Sequence, residues 1–179
     1  YRDRQMQTWV DATLASEPID TVMVFSSTMA QFVEGPQYAR LNRIADFVDV
    51  DSDKWAQYAA RATGVRRWVY RREAAALQVY ERQVARAFNA TLLVTEAEAD
   101  LFRRIAPESA SRVSHYDNGV DTAYFDPAVP SETPYSPGGP VVVFTGAMDY
   151  WPNVEAVQWF SDAVLPLVRA RQPDVRFVI

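Results

Sequence analysis

Short runs of apolar and β-branched residues alternate with longer stretches of helical pattern along this chain. The runs predict strands at Thr21–Phe25, Ile44–Val50, Thr91–Val94, Arg112–His115, Val141–Phe144 and Val175–Ile179. The longest helix is predicted from Arg66 to Phe88, with an apolar stripe of Trp68, Leu77, Tyr80, Val84 and Phe88. Such an alternation predicts an α/β fold with Rossmann-like parallel sheets and helices on both faces.

A proline-rich segment divides the chain. Between Asp117 and Pro140 lie Pro127, Pro130, Pro134, Pro137 and Gly138-Gly139, which predict an extended, partly stiff linker. We therefore predict three regions: a partial Rossmann-like domain over residues 1–116, a linker over 117–140, and the start of a second domain over 141–179. The first residues read as helix and the last as strand, so we expect an internal piece of a longer protein.

Composition excludes several classes of function. The 179 residues carry a net charge of -5, which argues against nonspecific nucleic-acid binding because that needs a basic face. There is no cysteine, and hence no thiolate zinc site. No uninterrupted apolar run approaches the roughly 18 residues of a membrane-spanning helix. The motifs of serine hydrolases, P-loop kinases and classical dehydrogenases are missing from the sequence.

The stretch Val141–Asn153 reads as a strand, a glycine turn and the N-terminus of a helix that begins near Asn153. In open α/β sheets such a junction faces a ligand crevice, and a helix N-terminus attracts anions. Gly146 would let the backbone approach a ligand, Asn153 would cap the helix, and Asp149 would face the cleft. An ordinary structural turn is the alternative. No arginine or lysine occurs from Ala147 to Val154.

An acidic cluster, Asp49-Val50-Asp51-Ser52-Asp53, follows the second predicted strand. Three interpretations are open. Asp49 and Asp51 share a face and could hold a divalent cation through their oxygens. The cluster could instead line a binding cleft, with Asp51 the best single candidate and Ser52 beside it. The third interpretation is a capping loop, in which Ser52 or Asp53 caps a helix that starts at Lys54.

Charged residues of the long helix also have two interpretations. Glu73 and Glu81 are predicted on a solvated or arginine-paired face. The basic run contains Arg66, Arg67, Arg71 and Arg72, with Trp68 and Tyr70 between them. It is either a solvated helix face or a contact with anionic lipid headgroups.

Several strings together resemble a known family. Asn118-Gly119-Val120-Asp121 with Tyr124-Phe125, then Phe144-Thr145-Gly146 after the linker, resemble the interdomain region of family 4 glycosyltransferases with the GT-B fold. The phrase from Phe144 to Asn153, continued by Trp159-Phe160 and Leu165-Pro166, resembles a narrower group. These are sugar transferases associated with bacterial exopolysaccharide and PEP-CTERM systems.

The resemblance implies two Rossmann-like domains with a cleft between them. This chain would supply the second half of the N-terminal, acceptor-side domain, the linker, and the first βαβ of the C-terminal, donor-binding domain. The implied reaction transfers a sugar from a nucleotide-sugar donor to a glycan or lipid-linked acceptor in exopolysaccharide biosynthesis, with retention of anomeric configuration. It needs no cofactor, and it would take place in the cytoplasm, with peripheral contact at the inner face of the membrane.

On that plan Asp51 is the candidate catalytic residue on the acceptor side. Ser52 and Asn118 are candidate substrate contacts, and Gly146, Asp149 and Asn153 are candidates on the donor side; no metal is expected. Two alternatives stay open: a noncatalytic α/β binding or assembly module, and a metal-dependent GT-A-like transferase that uses Asp49 and Asp51. We expect the isolated piece to be inactive and to self-associate through exposed sheet edges.

Overall fold

A computed structural model of the chain describes residues 2–130 and 132–179. The strands are β1 (Thr21–Phe25), β2 (Asn42–Val48), β3 (Ala90–Leu93), β4 (Val113–His115), β5 (Val141–Val143) and β6 (Arg176–Val178). The α-helices are α1 (Arg4–Ser16), α2 (Asp51–Arg61), α3 (Gly64–Ala87), α4 (Glu96–Ile105), α5 (Trp151–Trp159) and α6 (Leu165–Arg169). The chain packs as two compact units, Tyr1–Val120 and Asp121–Ile179.

The first unit contains a four-stranded, fully parallel sheet in the order β1-β2-β3-β4. Thr21 pairs with Asn42, Ile44 with Ala90 and Thr91 with Val113, so each strand lies beside the next one in sequence. The predicted α/β fold with a parallel sheet is therefore confirmed for this unit. The carboxyl ends of all four strands lie at one edge of the sheet, where parallel α/β folds bind ligands.

Strand β2 is shifted from its predicted range. The sequence predicted Ile44–Val50, whereas the strand runs from Asn42 to Val48. The pairing with β3 shifts register between Asp46 and Val48, and Val48 has a left-handed φ of 67°. A left-handed residue cannot continue an extended strand, so β2 ends there.

A side-chain cap is present at the start of one helix, and a predicted cap is absent at the start of another. The hydroxyl of Thr95 accepts a hydrogen bond from Glu98 N, as the Thr-x-x-Glu spacing predicts. Helix α2 begins at Asp51, before the predicted Lys54, and neither Ser52 nor Asp53 caps it. Gly64, the first residue of α3, has a φ of 58°. This backbone conformation favours glycine and marks the boundary between α2 and α3.

Two 3₁₀ helices, Ser27–Phe32 and Pro36–Tyr38, connect β1 to β2. Buried side chains of these two helices join the hydrophobic core of the first unit, which the strands and α-helices also form. Its members from the strands and helices include Leu14, Val24, Ala45, Phe47, Val84, Phe88, Leu93, Phe102 and Val113. Phe47 of β2 and Phe102 of α4 meet edge to face at 5.4 Å.

The second unit contains the parallel pair β5-β6, joined through a helical segment. The sequence predicted a helix that begins near Asn153. The structure has α5, a π-helical turn at Phe160–Val164, and α6. Pro166 lacks an N–H and its ring would clash with the carbonyl one turn before it, so the wider turn accommodates it.

The helices of the described residues are too short or too polar to cross a bilayer. Along the edge strand β1 and helix α1 lies an apolar groove of about 640 Å³. It includes Trp9, Met23 and Phe25, whose exposed fractions are 64%, 52% and 68%. Because an unpaired strand edge with apolar side chains can pair with another chain, we expect self-association at this edge.

We predict that Phe25→Lys lowers the associated fraction of the protein in light scattering, since a lysine on an edge strand opposes pairing. The matched control is Val120→Lys, which places the same charge at a residue with 65% exposure outside the strands. The expectation fails if both variants associate as the parent chain does.

Candidate functional site

The carboxyl edge of the four-stranded sheet carries unusual backbone geometry at two neighbouring strand ends. Ser26, directly after β1, has a φ of 73°, and Val48, the last residue of β2, has a φ of 67°. A left-handed β-branched residue costs on the order of 1–3 kcal/mol and persists only where surrounding contacts hold it. Such strained residues concentrate at functional sites, so this edge is the candidate site of the first unit.

Hydrogen bonds from three strands hold these two residues. Ser26 N donates to the carbonyl of Asp46 at 2.8 Å, and Val94 N donates to the carbonyl of Val48 at 2.7 Å. Val48 N donates to Asp46 Oδ1 at 3.1 Å. Asp46 therefore stabilises both strand ends, one through its backbone and one through its side chain.

Asp46 lies within β2 and is only 3% exposed, which is unusual for a charged side chain. Its Oδ2 accepts a hydrogen bond from the hydroxyl of Tyr116, which follows β4. That bond links β2 to the end of β4 across the intervening β3. The bond to Asp46, with burial and the charge of Asp46, raises the pKa of the Tyr116 hydroxyl. In the sequence, the signal for this interaction is the charged residue Asp46 inside the apolar run that forms β2.

Two carboxylates from other helices cap the N-terminus of α2. Glu98 Oε2 accepts a hydrogen bond from Val50 N at 2.8 Å. Glu81 Oε1 accepts one from Ser52 N at 3.1 Å, and Glu81 Oε2 accepts one from Ser52 Oγ at 2.5 Å. These acceptors satisfy N–H groups that have no partner within the helix. Glu98 also places negative charge at the positive end of the helix dipole.

The structure corrects the prediction for Glu81. The sequence placed it on a solvated or arginine-paired face, but it is fully buried, whereas Glu73 is exposed and lies 3.1 Å from Arg72. Burial raises the pKa of Glu81 from 4.5 to about 7, against the hydrogen bonds from Ser52. Its spacing from Leu77 and Val84 puts it on the apolar stripe, which was the missed signal.

Ser52 is a partner of Glu81 in this structure, whereas the sequence predicted a substrate contact. It is 3% exposed and its hydroxyl donates to the Glu81 carboxylate. The same position also lines a cavity of about 390 Å³ between α2 and α3, together with Arg67, Arg71 and Gln78. A role for Ser52 in binding would therefore require its hydroxyl to leave Glu81.

Asp49 and Asp51 lie together at the rim of the candidate site, with Lys54 between them. Lys54 Nζ is 2.6 Å from Asp49 Oδ2 and 3.4 Å from Asp51 Oδ1. Partial burial lowers the pKa of Lys54, but the hydrogen bond and charges of the two aspartates outweigh it and raise the pKa overall. The lysine thus supplies the positive charge that a divalent cation would supply in the metal interpretation. Within the described residues no cluster of three or more acidic or histidine side chains suits a metal ion.

In the second unit, the turn after β5 brings Gly146 against the first turn of α5. A Cβ on Gly146 would lie 2.8 Å from the side-chain nitrogen of Asn153, so a larger residue there would displace the Asn153 side chain. Helix α5 begins at Trp151 rather than near Asn153, and Asn153 does not cap it. Instead Asn153 Nδ2 donates to the Ala147 carbonyl at 2.9 Å, which ties the turn to the helix.

The N-terminus of α5 offers few donors to an anion. Pro152 has no N–H, and Asn153 N donates to the Tyr150 carbonyl at 3.0 Å. Asp149 is exposed on the same turn and has no hydrogen bond within residues 2–130 and 132–179. Asn118, in the first unit, is likewise exposed and without such a bond, so both side chains are available to a ligand.

Comparison with known protein families and with curated proteins finds no match to this chain. The fold and the site geometry are therefore the basis for any functional statement.

The raised pKa of Glu81 predicts a pH-dependent stability. Folding favours the protonated carboxyl, so the stability that this group contributes is fully present below pH 4.5 and is lost as the pH rises to about 7. The loss is on the order of 3 kcal/mol. Glutamine does not ionise, so Glu81→Gln does not undergo this loss. The free energy of unfolding of the variant should therefore increase relative to that of the parent as the pH rises from 4.5 to about 7.

Chemical denaturation at a series of pH values measures the difference between the two proteins. Glu73→Gln is the control, because Glu73 lies on the same helix but is exposed. A difference between Glu81→Gln and the parent that stays constant with pH would contradict the assignment.

Removing the Tyr116 hydroxyl should destabilise the first unit. Tyr116→Phe leaves the buried Asp46 carboxylate with one donor fewer, so the free energy of unfolding should fall. Tyr70→Phe is the control. The ring centroids of Tyr70 and Trp55 are 5.3 Å apart, and the Tyr70 hydroxyl has no hydrogen bond among the described residues. Equal losses in the two variants would show that the Asp46 bond contributes nothing specific.

Proposed function

We propose that this chain forms the acceptor side and the first part of the donor side of a family 4 glycosyltransferase with the GT-B fold. The reaction breaks the bond between the anomeric carbon of a nucleotide sugar and its diphosphate. It forms a bond from that carbon to a hydroxyl oxygen of a glycan or lipid-linked acceptor. The hydroxyl proton leaves with the departing diphosphate, so atoms and charge balance.

The observation that carries the proposal is the pair of strained strand ends at the carboxyl edge of a parallel sheet. Ser26 and Val48 are held in left-handed geometry beside the loop that presents Asp49 and Asp51. Ligands of open α/β folds bind at this edge, and sugar hydroxyls hydrogen-bond well to carboxylates. The arrangement suits an acceptor that is recognised by its hydroxyl groups.

Asp51 is the residue we assign to the reacting hydroxyl. Its side chain is 35% exposed, and Lys54 lies 3.4 Å from its Oδ1. Its carboxylate accepts a hydrogen bond from the acceptor hydroxyl and orients the hydroxyl oxygen toward the donor. Asp49 has a shorter contact with Lys54 and is assigned to holding that lysine in place.

On the donor side, the glycine turn of the second unit fits the approach of a diphosphate to backbone. Gly146 is exposed and has no side chain to obstruct a ligand. The turn from Ala147 to Val154 contains no arginine or lysine. In this proposal the charge of the diphosphate is therefore neutralised by groups outside that turn, and Asp149 and Asn153 contact neutral parts of the donor.

One observation favours the second candidate function, a noncatalytic assembly module. The groove beside β1 is lined by apolar and uncharged residues, including Trp9 and Phe25. Such a surface fits a protein neighbour better than a sugar. This candidate is distinguished by activity: an assembly module would bind a neighbour through β1 and transfer no sugar.

The test measures nucleoside diphosphate release from a panel of uridine-, guanosine- and thymidine-diphosphate sugars, with and without glycan or lipid-linked acceptors. The protein is used as its gene encodes it. We expect acceptor-dependent release, reduced roughly 10- to 100-fold by Asp51→Asn, because a hydrogen bond to a charged group contributes about 1.5–3 kcal/mol.

Asp53→Asn is the matched control. It removes one carboxylate from the same first turn of α2, and Asp53 is bonded to Gln57 at 2.7 Å rather than to Lys54. Its rate should stay within about twofold of the parent rate, because Asp53 is not assigned to the acceptor hydroxyl. Both variants lose a similar favourable charge at the helix N-terminus, so the helix dipole does not account for a difference between them. The proposal fails if no donor supports transfer, or if the two variants lose activity equally.

A further inference from the structure

The basic run at the start of α3 is divided between different sides of the helix. At about 100° per residue, Arg67 and Arg71 lie on one side. Arg66 and Arg72 lie at least about 100° away from either of them. Trp68, which the sequence predicted on the core-facing stripe, is 66% exposed, so that prediction is wrong. The run is therefore not one continuous face, and its two pairs of arginines have different surroundings.

Arg67 and Arg71 line a cavity of about 390 Å³ between α2 and α3, here called the α2–α3 cavity. Buried residues form its floor, since Ser52, Ala59 and Ala74 are 3%, 3% and 9% exposed. The exposed residues of the lining, which surround its opening, are Ala56, Ala60, Arg67, Arg71, Ala75 and Gln78. The cavity is thus open to solvent at the end where its charges lie.

The cavity follows from an uneven distribution of side-chain size across the contact between α2 and α3. On one side of the contact, Tyr70 packs against Trp55 and Tyr58, with ring centroids 5.3 Å and 6.3 Å away. On the other side, five of the lining residues are alanines, whose methyl groups fill little space. Protein interiors are otherwise close-packed, and a space of this size lies within the range of small-molecule sites.

The two guanidinium groups at the opening have no counter-ion in the protein. Neither Arg67 nor Arg71 has an ion pair or a side-chain hydrogen bond within residues 2–130 and 132–179. They are four residues apart on one helix, so they are neighbours on its surface and repel each other. An anion bound between them would relieve that repulsion.

Two acidic groups lie near these arginines. Asp53 lines the same cavity, and its carboxylate accepts a hydrogen bond from the Gln57 amide at 2.7 Å. Glu81 accepts hydrogen bonds from Ser52 at the floor, and burial raises the pKa of Glu81 to about 7. Among the lining residues two are cationic and one is anionic, so the lining has a net positive charge.

The lining matches one class of ligand. Guanidinium groups bind phosphate oxygens, often in a bidentate manner, and the Gln78 amide is a further donor. The Asp53 carboxylate accepts hydrogen bonds, so it suits a hydroxyl group rather than a second anion. The alanines leave room for a short carbon skeleton between these two polar ends.

We propose that the α2–α3 cavity binds a small, water-soluble phosphate monoester that carries a hydroxyl group. Arg67 and Arg71 hold the phosphate, Asp53 accepts a hydrogen bond from the hydroxyl, and the alanines contact the carbon atoms. Asp51 is not part of the lining, so this binding does not depend on sugar transfer. It holds or fails separately from the proposed function.

The test is a titration of the protein, as its gene encodes it, with glycerol 3-phosphate, followed by phosphorus NMR at neutral pH. Glycerol with chloride at the same ionic strength gives the baseline, because salt screens exposed charges. We expect saturable binding of glycerol 3-phosphate. The double variant Arg67→Gln and Arg71→Gln should bind it roughly 100-fold more weakly, since each charge-assisted hydrogen bond contributes about tenfold.

The matched control is the double variant Arg66→Gln and Arg72→Gln. It removes the same charge from the same turns of α3, but neither residue lines the α2–α3 cavity. Both arginines are exposed, and Arg72 has only a largely solvated contact with Glu73. Binding by this variant should stay within about twofold of the parent, because screening weakens more distant charges.

A second pair of variants tests the shape of the site. Ala75→Leu places a larger side chain in the cavity and should weaken binding about tenfold, because a leucine there occupies space that the ligand needs. Ala76→Leu is its control, since Ala76 is also exposed but lies on the opposite side of α3 from Arg67. Leucine is a strong helix former, so both variants should keep their helices in circular dichroism.

Three results would overturn the proposal. The first is the absence of saturable binding of glycerol 3-phosphate, including the case in which only vesicles of phosphatidic acid, the same group on a lipid, are bound. The second is equal binding by the two double arginine variants. The third is equal binding by Ala75→Leu and Ala76→Leu, which would place the phosphate outside the α2–α3 cavity.

Discussion

The carboxylate of Asp46 is the contact on which the candidate site of the first unit depends. It is buried in the middle of a parallel sheet and receives hydrogen bonds from Val48 N and from the Tyr116 hydroxyl. The backbone carbonyl of the same residue holds Ser26. A buried charge is stabilising only when such donors surround it. One residue thus couples the ends of β1, β2 and β4, through its backbone and its side chain, and the unusual backbone at the ligand-binding edge follows from that coupling.

The surfaces around this edge divide into separate chemical roles. The rim presents Asp49 and Asp51 with Lys54 between them, which suits hydroxyl recognition. The edge of β1 presents uncharged apolar residues, which suit a protein neighbour.

The strands were predictable because short β-branched runs between turn signals specify them locally. The cap at Thr95 was predictable for the same reason, since its partner lies three residues away. The burial of Glu81 and the start of α2 were not, because they arise from residues 29 and 48 positions apart. The left-handed φ of Val48 opposes the preference of valine and is imposed by Asp46. For the candidate site, the sequence predicted the acidic residues of the rim. It did not predict the contacts of Asp46 or the left-handed φ of Ser26 and Val48.

The caps of α2 also constrain the order in which the chain can fold. Helix α2 has only 11 residues, a length at which an isolated helix is marginal in water. Its capping carboxylates, Glu81 and Glu98, lie later in the chain and leave the ribosome after it. The segment must therefore wait for α3 and α4 before its first turn is secured. Folding of the first unit during synthesis is accordingly late and concerted, and the acidic rim is completed only when the fourth helix docks.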